Sequence, residues 1–250
     1  MQVRRSLTRY LSGHGVEIGA LDKPLDTSTN QTIRSLRYVD RYRKSEALER
    51  FSEFQATPSK LLEPNILYDV LLGLQPFRAD SLDFIVACHL IEHLPDPLFF
   101  LEEIWRVLKV GGICYLAVPD KDFLASDHNR NLTPLGHVVG DYRSKMREIE
   151  DHHLSEFLRL AENVPIPSDP VEKEQLFAQH RGRSIHVHVW NFRSFCALLL
   201  YFTKNHRPFD VVDMSRPADN ELREMLFILE KVRSLRFRTR TLLHAAVAFS

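Results

Sequence analysis

Two nearly unbroken apolar runs, LDFIVACHL (82–90) and ICYLAVPD (113–120), enclose a stretch whose apolar positions fall three and four apart: Leu98, Leu101, Ile104, Trp105 and Leu108. The runs have strand length, and their lack of apolar–polar alternation predicts strands covered on both faces, as in a parallel sheet. The spaced stretch predicts a helix that opens at Asp96 and Pro97 and stops at the glycine pair Gly111–Gly112. Strand, helix and strand in this length make a βαβ crossover, which sets the two strands side by side in parallel. Ligands of such sheets bind outside the carboxyl ends of the strands. Here those ends carry the polar stretch CHLIEHL and the dipeptide Pro119-Asp120.

The start of the chain has the same layout. In GVEIGALDKPL (15–25) a short apolar strand over 16–18 runs into Gly19 and a loop, and SLRYVDRY (35–42) predicts a second strand ending at Asp40. The interval from Gly19 to Asp40 is about the twenty residues that separate a nucleoside-binding turn from the acid that holds the ribose hydroxyls. The turn is degenerate, because ALDKP stands where further glycines would be expected. Further on, NFRSFCALLLYF (191–202) predicts an apolar helix, and FDVVDMSRP (209–217) and EMLFILEK (224–231) predict the last two strands. RRSLTRYL (4–11) predicts a short N-terminal helix, with no room before the first strand for a separate lid.

Residues 121–184 form a long segment between the strand ending in AVPD and the next apolar helix. Long insertions in compact domains are usually functional. This one predicts two helices, in TPLGHVVGDYRSKM (133–146) and DHHLSEFLRLAENV (151–164), then a Pro- and acid-rich connection, PIPSDPVEKEQ (165–175). It reads as a helical lid over the ligand edge of the sheet. It is rich in histidine: His128, His137, His152, His153 and His180, followed by His186 and His188. IHVHVW (185–190) predicts a strand that puts His186 and His188 on one face, where they could ligate together. No cysteine or carboxylate completes a metal-ligand spacing with them, so no metal is expected.

Composition narrows the function classes. The chain has 250 residues, 44% hydrophobic and 26% charged, with a formal net charge of zero. That balance gives no whole-protein case for nucleic acid or an anionic membrane surface. No run is long enough to span a bilayer, and the N-terminus lacks the apolar core of a secretory signal. Cys88, Cys114 and Cys196 lie far apart in apolar runs and read as buried free thiols, which points to a reducing, cytoplasmic setting. The tail over 232–250 turns from basic to apolar. It reads either as a helix packed by its apolar side or as a contact for a membrane surface or protein partner.

Together, VEIGAL (16–21), YVD (38–40) and the block from Asp80 to Asp120 resemble a class I S-adenosylmethionine-dependent methyltransferase of the type-11 domain family, which includes quinone-biosynthesis methyltransferases. The resemblance covers residues 13–120 closely and the C-terminal third loosely. It implies an α/β, Rossmann-like, seven-stranded and mostly parallel sheet with an antiparallel last strand. On this reading residues 1–231 are the methyltransferase domain, with the helical insertion placed after the fifth strand. The resemblance implies that Glu17, Gly19, Asp40, Asp69 and His89 bind the cofactor, S-adenosylmethionine. In it Gly19 lets the backbone approach the cofactor, Asp40 holds the ribose, Asp69 lies by the adenine, and Glu92 and His93 brace the turn that follows. Methyl transfer to oxygen gains from a general base, for which His137, His152 and His186 are candidates in no fixed order. A small-molecule or glycan-type acceptor is expected by analogy alone. Two other classes stay open: a non-catalytic binding module of the same fold, and a nicotinamide-dependent oxidoreductase, against which the short EIGAL turn argues.

Overall fold

A computed structural model describes residues 2–51, 54–182 and 185–234 of the chain. Seven strands form one sheet: β1 (Gly13–Ile18), β2 (Ile33–Asp40), β3 (Ile66–Leu67), β4 (Leu82–Cys88), β5 (Leu108–Pro119), β6 (Phe209–Ser215) and β7 (Glu224–Lys231). Their order is β3-β2-β1-β4-β5-β7-β6. β1 to β5 pair in parallel, and β7 inserts antiparallel between β5 and β6. The expected Rossmann-like sheet with its antiparallel last strand is therefore present.

Both faces of the sheet are covered, which explains the unbroken apolar runs. Val16, Ile18, Ile85, Ala87, Leu116 and Val118 point to one side, where α3 (Pro97–Val107) and α7 (Phe192–Asn205) pack through Leu98, Leu101, Ile104, Phe195 and Leu199. Phe84, Val86, Tyr115, Ala117, Leu226 and Ile228 point to the other, against Leu7, Leu11 and Leu25. Leu7 belongs to the short α1 (Gln2–Leu7).

Gly111 and Gly112 do not separate helix from strand. α3 ends at Val107, capped at its start by Asp96, and β5 begins at Leu108. The pairing of β5 with β4 jumps from Leu82↔Leu108 to Phe84↔Ile113, so the glycines sit in a bulge. Gly111 has φ +82, and a Cβ on Gly112 would lie 2.8 Å from the Lys109 carbonyl oxygen. The glycine pair thus marks an irregularity inside the strand.

Three elements lie where the pattern predicts none. α2 (Lys44–Arg50) and the two-residue β3 are too short to leave a period. The Pro- and acid-rich connection holds a helix, α6 (Pro170–Gly182), whose Phe177 is buried. With Leu154 and Leu158 of α5 (Asp151–Leu160), Ile185 and Val187, Phe177 forms a small core of its own. α4 (Leu135–Arg143) instead buries Val138 in the main core. Residues 185–190 are not a strand. They are irregular chain with a bend at His188, beside the turn after β4, where the Val187 and His188 amides both donate to the Glu92 carbonyl oxygen at 2.8 and 3.0 Å. No helix among the described residues is long and apolar enough to cross a membrane. Most of the tail, residues 235–250, lies outside the described residues, as does the reading of it as a contact.

Candidate active site

The carboxyl ends of β1, β2 and β4 gather the residues expected to hold a nucleoside. Gly19 follows β1 with φ +69, a conformation that L side chains rarely adopt, and its amide donates to the Val39 carbonyl oxygen at 2.9 Å. This left-handed turn reverses the chain directly above the sheet. Asp40 ends β2, where one carboxylate oxygen accepts the Tyr42 amide at 3.1 Å. Burial pushes its carboxyl above the usual range, and the charge of Asp69 adds to the shift, although the Tyr42 and Arg41 amides act the other way. Asp69 caps a short 3₁₀ turn by accepting the Leu71 amide at 3.0 Å. It therefore has a local structural job near Asp40.

Glu17 is the acid buried beneath this end of the sheet. One carboxylate oxygen accepts the Leu25 amide at 2.9 Å, and the other is buried without a hydrogen bond. Burial pushes its carboxyl up to about 7, even though the Leu25 amide and the Arg4 charge pull the other way. The loop 20–25, which includes Pro24, thus uses Glu17 as its anchor.

His89 follows β4 with φ +50. Its Nε2 lies 2.8 Å from Glu224 Oε2, and its Nδ1 lies 3.7 Å from Glu92. Glu224 is also gripped by the Arg4 guanidinium through both carboxylate oxygens. Burial would raise its carboxyl, but the His89 and Arg4 contacts outweigh burial and leave it below the usual range. Arg4 and Glu224 are 220 residues apart, so no sequence period could have announced that pair.

The three candidate bases part company in the structure. His152 is half exposed, with Nδ1 3.0 Å from Glu150. His137 turns toward His153, with the two Nε2 atoms 2.9 Å apart. His186 is held by a buried acid: its Nδ1 lies 2.6 Å from Asp127 Oδ2. Asp127 is fixed in turn by the fully buried Arg130, whose Nη1 donates to Asp127 Oδ1 at 3.2 Å and to the His186 carbonyl oxygen at 2.7 Å. Burial alone would lower the His186 imidazole, but the Asp127 hydrogen bond and the nearby Glu92 charge hold it above the usual range. Among the three, His186 has the partner geometry of an aligned proton acceptor. Asp127 and Arg130 went unread because an Asp-x-x-Arg spacing in a loop is unremarkable without its distant histidine.

His186 and His188 do not share a target. His186 joins Glu92 and His93, and His188 joins His137, Asp141 and His153; within each group one donor atom per residue lies within 4.8 Å of the others. Glu92 has both carboxylate oxygens buried without hydrogen bonds. His93 is fixed by its Nδ1 contact with the Ile185 carbonyl at 2.8 Å, and burial drops its imidazole to about 3. The expected bracing of the turn by Glu92 and His93 thus runs through the 185–188 segment. Two aromatic residues of the insertion also differ in setting: Phe123 is exposed under Arg223, whereas the Tyr142 hydroxyl donates to Glu102 on α3.

A family model described as a methyltransferase domain matches residues 40–116. No curated protein matches the chain. Among solved structures, a Rhodobacter sphaeroides protein described as a candidate zinc-dependent alcohol dehydrogenase is 15% identical, covers 90% of this chain and 87% of its own, and has a TM-score of 0.54. At that identity the likeness concerns the fold alone. A structure described as an S-adenosylmethionine-dependent methyltransferase from Methanosarcina mazei is 17% identical, with 92% and 98% coverage and a TM-score of 0.46. Another so described, from Methanococcus maripaludis, is 14% identical, with 93% and 84% coverage and a TM-score of 0.42. The matched segment runs from the candidate ribose acid Asp40 through β4, the CHLIEHL turn and α3 into β5, and over it the chain is similar to a methyltransferase domain.

Proposed function

We propose that this chain is an S-adenosylmethionine-dependent methyltransferase acting on a hydroxyl group of a small-molecule or glycan-type acceptor, with His186 as proton acceptor and the helices of residues 121–184 as the acceptor-binding lid. The observation that carries the reading is the buried Asp127–His186 pair, 2.6 Å apart and locked by Arg130 beside the turn after β4. With the Asp127 carboxylate accepting a hydrogen bond from Nδ1–H, the Nε2 lone pair is the one left to accept a proton. When bound, S-adenosylmethionine supplies an electrophilic methyl group on its sulfonium. His186 Nε2 would take the proton of the acceptor hydroxyl as its oxygen receives that methyl group, with the demethylated cofactor as leaving group. Glu17, Gly19, Asp40, Asp69 and His89 are the proposed cofactor contacts. Asp40 offers its second carboxylate oxygen to the ribose, and Glu17 offers charge toward the cofactor's cationic end. The three cysteines are unpaired, which supports a reducing compartment such as the cytoplasm.

The experiment is calorimetric titration of the full chain with S-adenosylmethionine and, separately, a nicotinamide dinucleotide. It is followed by mass detection of methylated products from a panel of hydroxylated acceptors. Binding of the first ligand only, with a gain of one methyl group on oxygen, is the expected result. Methylation at nitrogen or carbon alone would sink the oxygen assignment and leave the cofactor reading intact.

Glu17 gives that binding a pH dependence. Its folded value, about 7, stands above the ordinary carboxylate range. Folding therefore favours the protonated acid, and the cofactor-free protein should lose stability as pH rises through about 7. The cofactor's positive groups favour the ionised acid. Affinity should therefore rise by up to about tenfold between about pH 6 and pH 8, and Glu17→Gln should flatten that rise. An equal rise in the variant would assign the titration to another group.

A further inference from the structure

The lid segment brings four metal-type donors to one point, and nothing in the methyl-transfer reading uses them. His137 and Asp141 lie one turn apart on α4 and so share a face. His153 comes from α5, and His188 from the bend in the irregular segment before α7. His137 Nε2 is 2.9 Å from His153 Nε2 and 3.3 Å from Asp141 Oδ2, and His188 Nε2 is 3.8 Å from the same carboxylate oxygen. Zinc–nitrogen bonds of about 2.0–2.1 Å at tetrahedral angles separate neighbouring ligand atoms by about 3.3 Å, and the three measured separations straddle that spacing.

The hydrogen bonding is incomplete in the way a cation would complete it. Asp141 is 5% exposed, and its Oδ2, which faces the histidines, has no hydrogen-bond partner. An unpaired buried carboxylate oxygen is costly, and two imidazole nitrogens 2.9 Å apart can share only one proton.

We propose that His137, Asp141, His153 and His188 form a four-coordinate site for a divalent transition cation of the zinc class. A closed set of four protein ligands is the pattern of a structural site. The bound cation ties α4, α5 and the 185–190 segment together, and so fixes the stretch that carries His186 against the turn after β4. Its coordination sphere is filled by protein, so it acts on the lid rather than on the acceptor. The proposal does not depend on the identity of the acceptor or on methyl transfer.

The test is metal content and affinity of the full chain, measured by elemental analysis after dialysis and by calorimetric titration with zinc. Cobalt(II) titration reports geometry through the visible bands of a four-coordinate ion. Asp141→Asn keeps the shape and removes the charge, and His137→Gln alters the least buried ligand, so both should fold. Each should bind one equivalent fewer than the parent, or bind more than about 100-fold more weakly, since even outer partners of metal ligands are worth about 10–100-fold. Glu92→Gln should keep that equivalent. The same variants should lose the zinc-induced rise in melting temperature of the parent. No tight zinc equivalent in the parent, an octahedral cobalt spectrum, or loss of the ion in Glu92→Gln but not in Asp141→Asn would overturn the assignment.

Discussion

Replacing His186 with alanine should lower kcat by about 10²–10⁴, the range for loss of a positioned general base, while affinity for S-adenosylmethionine stays close to that of the parent. The split follows from position. The cofactor contacts proposed for Glu17, Gly19 and Asp40 lie at β1 and β2, whereas His186 sits on the far side of Glu92 and is fixed by Asp127 and Arg130. Asp127→Asn should show the same split in milder form. The amide keeps the shape of the pair, but it can present its NH₂ to Nδ1 and stabilise the wrong tautomer. Asp127 acts through His186 and is a positioning residue. A variant that only loosened the lid would instead raise KM for the acceptor with kcat nearly unchanged. Single-turnover rates with saturating acceptor, together with cofactor binding by calorimetry, separate these outcomes. Full turnover in His186→Ala, or turnover that needs an added divalent cation at the Glu92–His93–His186 group, would move His186 from proton acceptance to ligation.

The sheet was legible in the sequence because its strands are covered on both faces and its connecting helix is amphipathic. The runs ending in AVPD and VACHL therefore stand out as unbroken apolar stretches of strand length, and α3 as apolar positions three and four apart. α2 and β3 were illegible because seven and two residues are too few for a period. α6 was hidden by prolines at 165, 167 and 170, yet Pro170 is its first residue, a position where proline is well tolerated. The candidate site divides in the same way. Gly19 and Asp40 could be placed because they terminate strands that the pattern defines. The roles of Asp127, Arg130, Glu224 and Asp141 come from contacts between segments far apart in the chain, and a single sequence without a fold does not order such contacts. The reading of His186 and His188 as sharing one face failed for a simple physical reason. The segment bends at His188, and the consecutive Val187 and His188 amides converge on one carbonyl oxygen, so the regular alternation that puts residues i and i+2 on one face is lost, and each histidine joins its own group.

Asp40→Ala should weaken S-adenosylmethionine binding by about 1.5–3 kcal/mol, the usual worth of hydrogen bonds to a charged group, or roughly 10–150-fold. Asp40 ends β2 beside the Gly19 turn, and its Oδ1 accepts the Tyr42 amide at 3.1 Å. On this reading Oδ2 is the acceptor for a ribose hydroxyl. The burial that pushes its carboxyl up also keeps water from competing for that oxygen. The complication is structural, because losing the carboxylate also frees the Tyr42 amide and could loosen the turn after β2. Asp40→Asn resolves this. Its side-chain oxygen can still accept the Tyr42 amide, so the turn should hold, while the charge that strengthens the ribose contact is gone. Asn should therefore retain the parent's unfolding free energy within about 0.5 kcal/mol, the range for substitutions that spare such features, and still bind the cofactor more weakly. Denaturant titration and calorimetry on the same preparations give both numbers. Parent-like affinity in a folded Asp40→Ala protein would remove Asp40 from the ribose contact and leave Asp69, already engaged with the Leu71 amide, as the acid to test next.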